Sequence, residues 1–294
     1  MLRHYGRVQR VLERLDPQGQ PWSIVAPGSP EPRGNSIVFP GSFNPPTLAH
    51  LAMLRQARIW ARRRYGGHWQ VYAALSRQIV DKETVERLTL LDRVVLLERV
   101  LSKQVKRAGI LLLNRGLYVE QARGIRAAFP QVRRLSFLVG FDKIVQIFDA
   151  RYYTERDVAL RELFAQADLL VAPRGLDGEA QLEELLARSE NRPFARHVHA
   201  LPLDARYRDM SSTSARQGMR LDEVPAEVFD FIRRTRPYAP PERLDGGTER
   251  DVYAERTRAF QALLANGSAG TSGGSSQSER YPLPSGDSER CASH

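Results

Sequence analysis

Short apolar runs alternate with amphipathic stretches over residues 36–201. Several runs are apolar at consecutive positions, which is typical of strands in a sheet that is covered on both faces. The longest amphipathic stretch places Leu88, Leu91, Val95 and Leu96 at helical spacing, so one side of that helix is apolar. The alternation predicts an α/β fold, a Rossmann-like, doubly wound and mostly parallel sheet with helices on both faces.

The predicted elements can be read directly from these runs. The strands are "SIVFP", "WQVYAAL", "GILLLN", "RLSFLVG", "DLLVAPR" and "RHVHAL". The helices between them are "LAHLAMLRQARIWARRR", "ETVERLTLLDRVVLLERVLSKQ", "LYVEQARGIRAAF", "DKIVQIFDARYY" with "DVALRELFAQ", and "EAQLEELLARS". Two short helices, "SSTSARQGMR" and "PAEVFDFIRRTR", follow the last strand.

Changes in composition divide the chain into four segments. Residues 1–34 form an N-terminal appendage of one helix and a Pro/Gly-rich link, and residues 35–239 form the α/β domain. Residues 240–265 are a C-terminal extension with a polar helical stretch. Residues 266–294 are Gly/Ser-rich with little to bury, so we expect a disordered tail.

Several classes of protein are disfavoured by the composition. The 294 residues are 42% hydrophobic, which supplies a sizeable core. The chain has no apolar stretch of membrane-spanning length and no signal-peptide pattern at its start, so we expect a cytoplasmic protein without a membrane partner. Cys291 is the single cysteine, which excludes an intrachain disulfide.

The net charge of +10 invites comparison with nucleic-acid-binding proteins. However, 40 of the 44 basic residues are arginines spread along the whole chain, and the lysines are Lys82, Lys103, Lys106 and Lys143. We attribute the charge to a general arginine bias and expect no nucleic-acid partner, because no module of interleaved basic and aromatic residues stands out. No assembly signal stands out either, which leaves a homo-oligomer open.

The string "GSFNPPTLAH", residues 41–50, lies between the first predicted strand and the first helix of the domain. Ligands of parallel α/β sheets bind at this kind of junction, because the helix N-terminus offers unpaired N–H groups and a partial positive charge. Gly41 allows close approach of the backbone to an anion. Thr47 and His50 are three residues apart, so we expect them to face the same ligand. The string predicts a phosphate site.

A second string, "DMSSTSARQGMR", predicts another anion site. Ser211, Ser212 and Thr213 supply cap oxygens and a run of backbone amides, and Arg216 follows one turn later on the same side. A third string, "FLVGFDKIVQIFDARYY", has Gly140 directly after an apolar strand, with a carboxylate two residues later that can reach ribose hydroxyls or a base.

Together the strings resemble the signatures of the nucleotidylyltransferase superfamily, and "GSFNPPTLAH" is most similar to the nicotinamide/nicotinate mononucleotide adenylyltransferases. The resemblance covers roughly residues 35–239. It implies in-line attack by the phosphate of a pyridine mononucleotide on the α-phosphate of ATP, with release of pyrophosphate. Mg²⁺ would arrive carried by ATP, and no residues of the chain are expected to form a metal site of their own.

The resemblance also implies roles for individual residues. The catalytic set is His50, which donates to the α-phosphate, with Thr47 and Arg216. The ATP phosphates are held by Gly41, Ser42 and Phe43, by Lys82, and by Ser211, Ser212 and Thr213. The nucleotide or acceptor contacts Gly140, Asp142, Arg93 and Tyr152. Phe148 and Tyr153 are the other aromatic side chains that could stack on the acceptor base. Of these, Phe148 is better suited to the core.

Other functions stay open at this stage. Within the superfamily the acceptor could instead be phosphopantetheine, FMN, or a glycerol or choline phosphate, and CTP could replace ATP. A non-catalytic nucleotide-binding protein is the alternative from another class. The sequence does not decide between nicotinamide and nicotinate as the acceptor's base.

Overall fold

A seven-stranded sheet forms the centre of the molecule. The computed structural model describes residues 2–77, 87–175, 177–217, 220–244 and 248–269. The strands are β1 (Ser23–Val25), β2 (Gly34–Pro40), β3 (Trp69–Ser76), β4 (Ala108–Leu113), β5 (Val132–Gly140), β6 (Asp168–Ala172) and β7 (Val198–Ala200). Their order in the sheet is β1-β4-β3-β2-β5-β6-β7. All neighbouring pairs are parallel except β1 with β4, which confirms the predicted mostly parallel sheet.

Helices cover both faces of the sheet. They are α1 (Leu2–Glu13), α2 (Leu48–Tyr65), α3 (Leu90–Gln104), α4 (Tyr118–Ala128), α5 (Phe141–Phe148), α6 (Arg156–Gln166), α7 (Gly178–Ala187), α8 (Ser212–Gln217), α9 (Ala226–Thr235) and α10 (Val252–Ala269). A short hairpin of β8 (Glu242–Arg243) and β9 (Glu249–Arg250) precedes α10.

The two faces have separate cores because side chains alternate along each strand. On β2, Ile37 and Phe39 pack in a cluster with α1, α2 and α3, whereas Val38 packs in a second cluster with α4–α7. The central strands are buried at consecutive positions, as the unbroken apolar runs predicted. The doubly wound α/β fold is therefore confirmed.

The structure differs from the predicted elements in three places. The predicted helix from residue 83 includes residues 83–86, which lie outside the described residues; α3 begins at Leu90, where the Thr89 side chain caps it by accepting from the Asp92 backbone N–H. The stretch predicted as one helix to Tyr153 ends at Phe148 and continues as a short 3₁₀ helix, Ala150–Tyr152. The C-terminal helix runs to Ala269, past the predicted start of the tail.

The N-terminal segment also contributes more than one helix and a link. Its residues 23–25 form β1, which pairs with the sheet edge, and Val8, Leu12 and Leu15 are part of the main core cluster. The boundaries at residues 34 and 239 stay predictions, but the segment in front of residue 34 packs on the domain. Among the described helices, none is both long enough and apolar enough to cross a bilayer.

The strand order creates a topological switch point at the carboxyl edge of the sheet. From β2 the chain proceeds to β3 and β4 on one side, and then crosses to β5, β6 and β7 on the other. In open α/β sheets, ligands bind outside the carboxyl ends of the strands where the order reverses in this way. Here that point lies between the loop after β2 and the loop after β5.

Candidate active site

The loop after β2 carries the first predicted phosphate motif. Phe43 has a φ of 45°, in the left-handed region that L-residues visit at a cost of roughly 1–2 kcal/mol. Its fully buried ring lies 5.0 Å from the His50 ring and 5.4 Å from the Phe39 ring. A Cβ on Gly41 would come within 3.1 Å of the Phe43 ring, so glycine is needed for this packing. Phe43 thus supports the imidazole by packing.

Thr47 and His50 hold each other at the start of α2. The backbone N–H of Thr47 donates to Nδ1 of His50 at 2.9 Å, and the Thr47 hydroxyl lies 2.8 Å from the same nitrogen. In return the hydroxyl accepts from the His50 backbone N–H at 3.4 Å, which completes a capping box. Thr47 is fully buried and its hydroxyl is directed to the imidazole, so contact of this side chain with a ligand stays a prediction.

These contacts fix the protonation state of His50. Because a backbone N–H can only donate, Nδ1 is the acceptor and the ring proton is on Nε2. Burial lowers the pKa of His50 to about 4, so the ring is neutral at pH 7. Within the described residues Nε2 has no hydrogen-bond partner. The half-buried ring therefore carries one N–H donor that is available to a ligand.

Helix α8, the second predicted anion motif, docks directly on the loop of the first. The Ser212 hydroxyl donates to the Pro45 carbonyl at 2.7 Å, and the Arg216 guanidinium donates to the Asn44 carbonyl. A second nitrogen of Arg216 donates to the Thr213 hydroxyl at 3.3 Å. Two strings more than 160 residues apart in sequence thus form one surface.

The other hydroxyl groups of α8 are used to cap the helix. The Ser211 hydroxyl accepts from the Ser214 backbone N–H at 3.0 Å, and the Ser214 hydroxyl accepts from the Ser211 N–H at the same distance. The Ser214 hydroxyl also lies 2.9 Å from the buried carboxylate of Glu223. Of the three predicted phosphate-binding hydroxyls, only that of exposed Thr213 does not bond to the backbone.

Asn44 joins several parts of the site and was absent from the predicted site residues. Its buried side-chain oxygen accepts from the Leu88 backbone N–H at 3.0 Å and from the Tyr238 hydroxyl at 2.8 Å. Its carbonyl accepts from Arg216. The position of Asn44 inside the first motif was a signal that could have identified it; nothing in the sequence pointed to Tyr238.

Arg93 contacts the loop and is itself buried. Its guanidinium donates to the Ser42 carbonyl at 2.9 Å, and its Nε has no partner among the described residues. Burial lowers the pKa of Arg93. Contact of Arg93 with the substrate stays a prediction: only 6% of the residue is exposed, and its hydrogen bond goes to the backbone of the loop after β2. Ser42 itself is exposed to solvent.

The loop after β5 adds the third motif to the same edge of the sheet. A Cβ on Gly140 would meet nothing within 4 Å, so the space beside it is open. Asp142, in the first turn of α5, is exposed and forms an ion pair with Arg174 from the loop after β6. Tyr152 is half-buried in the 3₁₀ helix, which begins roughly 12 Å beyond Gly140, the length of α5.

Not every predicted residue is tested by this arrangement. Contact of Tyr152 and Asp142 with an acceptor stays a prediction. Phe148 is buried with other phenylalanines, as predicted, and Tyr153 donates its hydroxyl to the Ile147 carbonyl. Lys82 lies outside the described residues, as do Cys291 and the tail from residue 270 onward.

The C-terminal extension holds the segment that leads into α3. The buried carboxylate of Asp92 accepts two hydrogen bonds from Arg256, at 2.9 and 3.0 Å, and one from the Tyr253 hydroxyl at 2.7 Å. The Tyr253 hydroxyl also accepts from the Thr89 backbone N–H at 2.8 Å. Arg87 forms an ion pair with Asp251. The extension thus fixes residues 87–92, which contact Asn44 through Leu88.

The chemistry of the site suits phosphate. The groups that meet at the switch point are an imidazole N–H, a guanidinium, a hydroxyl and the backbone amides at two helix starts, all of which donate. In the part of the chain that the structure describes, no cluster of three His, Cys, Asp or Glu side chains could hold a metal ion. Fold and site together define a doubly wound α/β protein with a group of hydrogen-bond donors at its topological switch point.

Comparison with known proteins agrees with this class. The chain is 26% identical over 221 residues to a protein of Schizosaccharomyces pombe named "Putative nicotinamide mononucleotide adenylyltransferase". The match spans 68% of the chain and 85% of the relative. No protein-family model matches the chain. The resemblance to this group, predicted from the motifs, is confirmed as a similarity.

Proposed function

We propose that the protein is an adenylyltransferase that joins ATP to nicotinamide mononucleotide, or to its nicotinate counterpart, with release of pyrophosphate. The observation that carries the proposal is the direct docking of α8 on the loop after β2. Ser212 and Arg216 donate to the Pro45 and Asn44 carbonyls of the loop that leads into the helix carrying His50, which supports a joint role of these groups. The name of the yeast relative supports the pyridine acceptor.

The reaction needs positioning and charge stabilisation rather than a strong base. The acceptor phosphate is already anionic; its oxygen forms a bond to the α-phosphorus of ATP while the bond to the β-phosphate oxygen breaks, and pyrophosphate leaves. Negative charge grows on the α-phosphate oxygens as this happens. The Nε2–H of His50 donates to that charge, with its orientation fixed beforehand by Thr47.

The remaining groups hold the triphosphate. Arg216 and Thr213 face the β- and γ-phosphates, with the backbone amides at the start of α8. Arg216 exchanges its contact with the Asn44 carbonyl, which it makes in this structure, for phosphate oxygens. Mg²⁺ enters with ATP as part of the substrate. The open space at Gly140 receives the nucleoside portion.

The test is pyrophosphate release from MgATP with each acceptor offered in parallel. Nicotinamide mononucleotide, nicotinate mononucleotide, phosphopantetheine and FMN are compared, and CTP is offered in place of ATP. We expect a pyridine mononucleotide to raise release far above background. We expect His50→Ala to lose about 100-fold or more in turnover, the usual effect of removing one preorganised donor, with unchanged circular dichroism.

Two results would count against the proposal. If FMN, phosphopantetheine or CTP supports faster release than either pyridine nucleotide, the reaction class stands but the acceptor or donor is wrong. If no combination exceeds background while ATP still binds, the protein is a non-catalytic nucleotide-binding protein.

A further inference from the structure

The positive charge of the chain is unevenly placed in the fold. Parallel strands begin at a common edge, and α2 runs from the candidate active site back to that edge over roughly 27 Å. Eight cations lie there, in the last part of α2, just before β4 and at the start of β5. We call them the arginine edge: Arg58, Arg62, Arg63, Arg64, Lys106, Arg107, Arg133 and Arg134.

Contacts between these groups show that they form one surface. Arg58 donates to the Lys106 carbonyl at 2.6 Å, which connects α2 with the start of β4. Burial and the nearby charges of Arg62 and Arg107 lower the pKa of Arg58. Arg64 and Arg134 both lie over the Tyr65 ring, at 5.7 and 5.0 Å from its centre, which connects α2 with β5.

The arginine edge has no neutralising partners. Within the described residues none of its eight cations forms an ion pair, whereas many arginines elsewhere in the molecule do, such as Arg115, Arg123 and Arg174. The carboxylates near this edge are already engaged: Glu31 pairs with Arg33, and Asp168 pairs with His197. Arginines without an ion pair also occur elsewhere among the described residues, on α1 for example, but these eight cations come from three parts of the chain and lie at one edge of the sheet.

We infer that the arginine edge binds nucleic acid through its phosphates, without reading the bases. From β4 to β5 the sheet edge spans three strand spacings, about 14 Å, along which several successive phosphates fit. All but one of the cations are arginines, and each guanidinium group can donate two parallel hydrogen bonds to two oxygens of one phosphate. This proposal departs from the sequence-based expectation of no nucleic-acid partner, which stays a prediction until binding is measured.

An anionic membrane would present similar charge, but the edge lacks the second element that stable membrane attachment needs. A polybasic patch alone binds weakly and usually acts together with an apolar or lipid anchor. Ile59 is the exposed large apolar side chain next to these cations, and it stands alone there among the described residues. Nucleic acid requires only the charge and the guanidinium geometry.

The test measures anisotropy of a fluorescein-labelled 20-nucleotide oligouridine and a 20-base-pair DNA duplex across a salt series. Wild-type protein should bind the oligouridine with an affinity that falls with salt, with a slope of about −0.7 per neutralised phosphate. The triple variant Arg62→Gln, Arg63→Gln, Arg133→Gln should reduce that slope by about two and weaken binding by about 100-fold near 100 mM salt.

The matched control removes the same charge elsewhere. Arg3, Arg10 and Arg14 are exposed, unpaired among the described residues, and belong to α1 or the residue after it; changing all three to Gln should leave the slope unchanged. If the first triple folds poorly, Arg63, Arg107 and Arg133 form a second one. Pyrophosphate release should be the same in every folded triple, because the arginine edge is at the opposite end of α2 from His50.

Three results would overturn the inference. The first is absence of binding to both probes at 50 mM salt. The second is equal weakening by the edge triple and the control triple, which would indicate a non-specific effect of net charge. The third is retention of the protein on phosphatidylserine vesicles without binding to either nucleic acid. Each can be recognised whether or not the adenylyltransferase proposal holds.

Discussion

At the residue scale, sequence patterns located the histidine of the site but not how it is held. The spacing of Thr47 and His50 correctly placed both at the first turn of α2. It could not show that Thr47 is fully buried and bonded to the imidazole, because spacing gives the face of a helix and not the direction of a hydroxyl. Similarly, spacing singled out Arg93 as a substrate contact but could not show that its guanidinium is buried and donates to the Ser42 carbonyl.

The neutral state of His50 has consequences for the pH dependence of the protein. With a pKa near 4 in the folded protein and 6.5 when unfolded, His50 takes up a proton in the unfolded chain first as the pH falls. Unfolding is therefore favoured between about pH 6.5 and 4, where this residue lowers the free energy of unfolding by up to about 3 kcal/mol. Above pH 6.5 its protonation has no effect on stability.

We expect a variant without an ionisable group, His50→Gln, to lose less stability than wild type over that pH range. Urea unfolding at pH 7, 6, 5 and 4 measures the difference, and the control is exposed His68→Gln, which should follow wild type. Parallel curves for wild type and His50→Gln would contradict the neutral assignment. If the enzyme is active as proposed, turnover from pH 6 to 8 should likewise show no titration of His50.

At the element scale, the sheet and most helices could be predicted because their apolar periodicity is strong. β1 could not, because three residues between Pro- and Gly-rich stretches carry little periodic signal, and its place in the sheet depends on pairing with β4. The contribution of α10 was also hidden. Its polar sequence indicated an extension outside the domain, but Tyr253 and Arg256 donate hydrogen bonds to the buried carboxylate of Asp92 in α3.

We expect Tyr253→Phe to weaken ATP binding more than a surface change would. The substitution removes a hydroxyl that donates to Asp92 and accepts from Thr89, and it leaves the Thr89 N–H without that partner. Loss of such a buried bond costs roughly 1–3 kcal/mol and loosens residues 87–92, whose Leu88 N–H contacts Asn44. The KM for ATP should rise several-fold with a smaller effect on kcat.

The matched control for Tyr253→Phe is Thr257→Val, because among the described residues the Thr257 hydroxyl bonds only to the carbonyl of residue 253 in its own helix. Steady-state kinetics and urea unfolding should be measured on both variants. A drop in stability with an unchanged KM for ATP would give Tyr253 a purely structural role. If wild type has no activity, calorimetric ATP binding provides the same comparison and keeps this prediction separate from the proposed reaction.

At the scale of the whole molecule, the first and last helices that the structure describes, α1 and α10, pack on the same helix. α1 contacts α3 through His4 and Glu98, whose side chains are 2.5 Å apart. α10 contacts α3 where Arg256 donates to Asp92. α10 also contacts α1, where the ring centres of Tyr5 and Phe260 are 4.6 Å apart. The Pro/Gly-rich link before residue 34 is a turn of the chain, and the segment in front of it packs on the domain. Composition alone cannot distinguish such a turn from a linker to a separate segment.

This packing predicts that α1 unfolds together with the domain. Leu15 is 1% exposed in the main core cluster, so Leu15→Ala should lower the free energy of unfolding by about 2–4 kcal/mol. Arg14→Ala, at the adjacent exposed position, should change it by less than about 0.5 kcal/mol. Urea titrations should be followed by circular dichroism and by fluorescence, since agreement between probes establishes one transition. If the appendage folds independently, the midpoint of the main unfolding transition should stay at the wild-type urea concentration, and a separate transition should appear at lower urea. If instead the curves from both probes coincide and shift to lower urea, α1 belongs to the cooperative unit that carries the site.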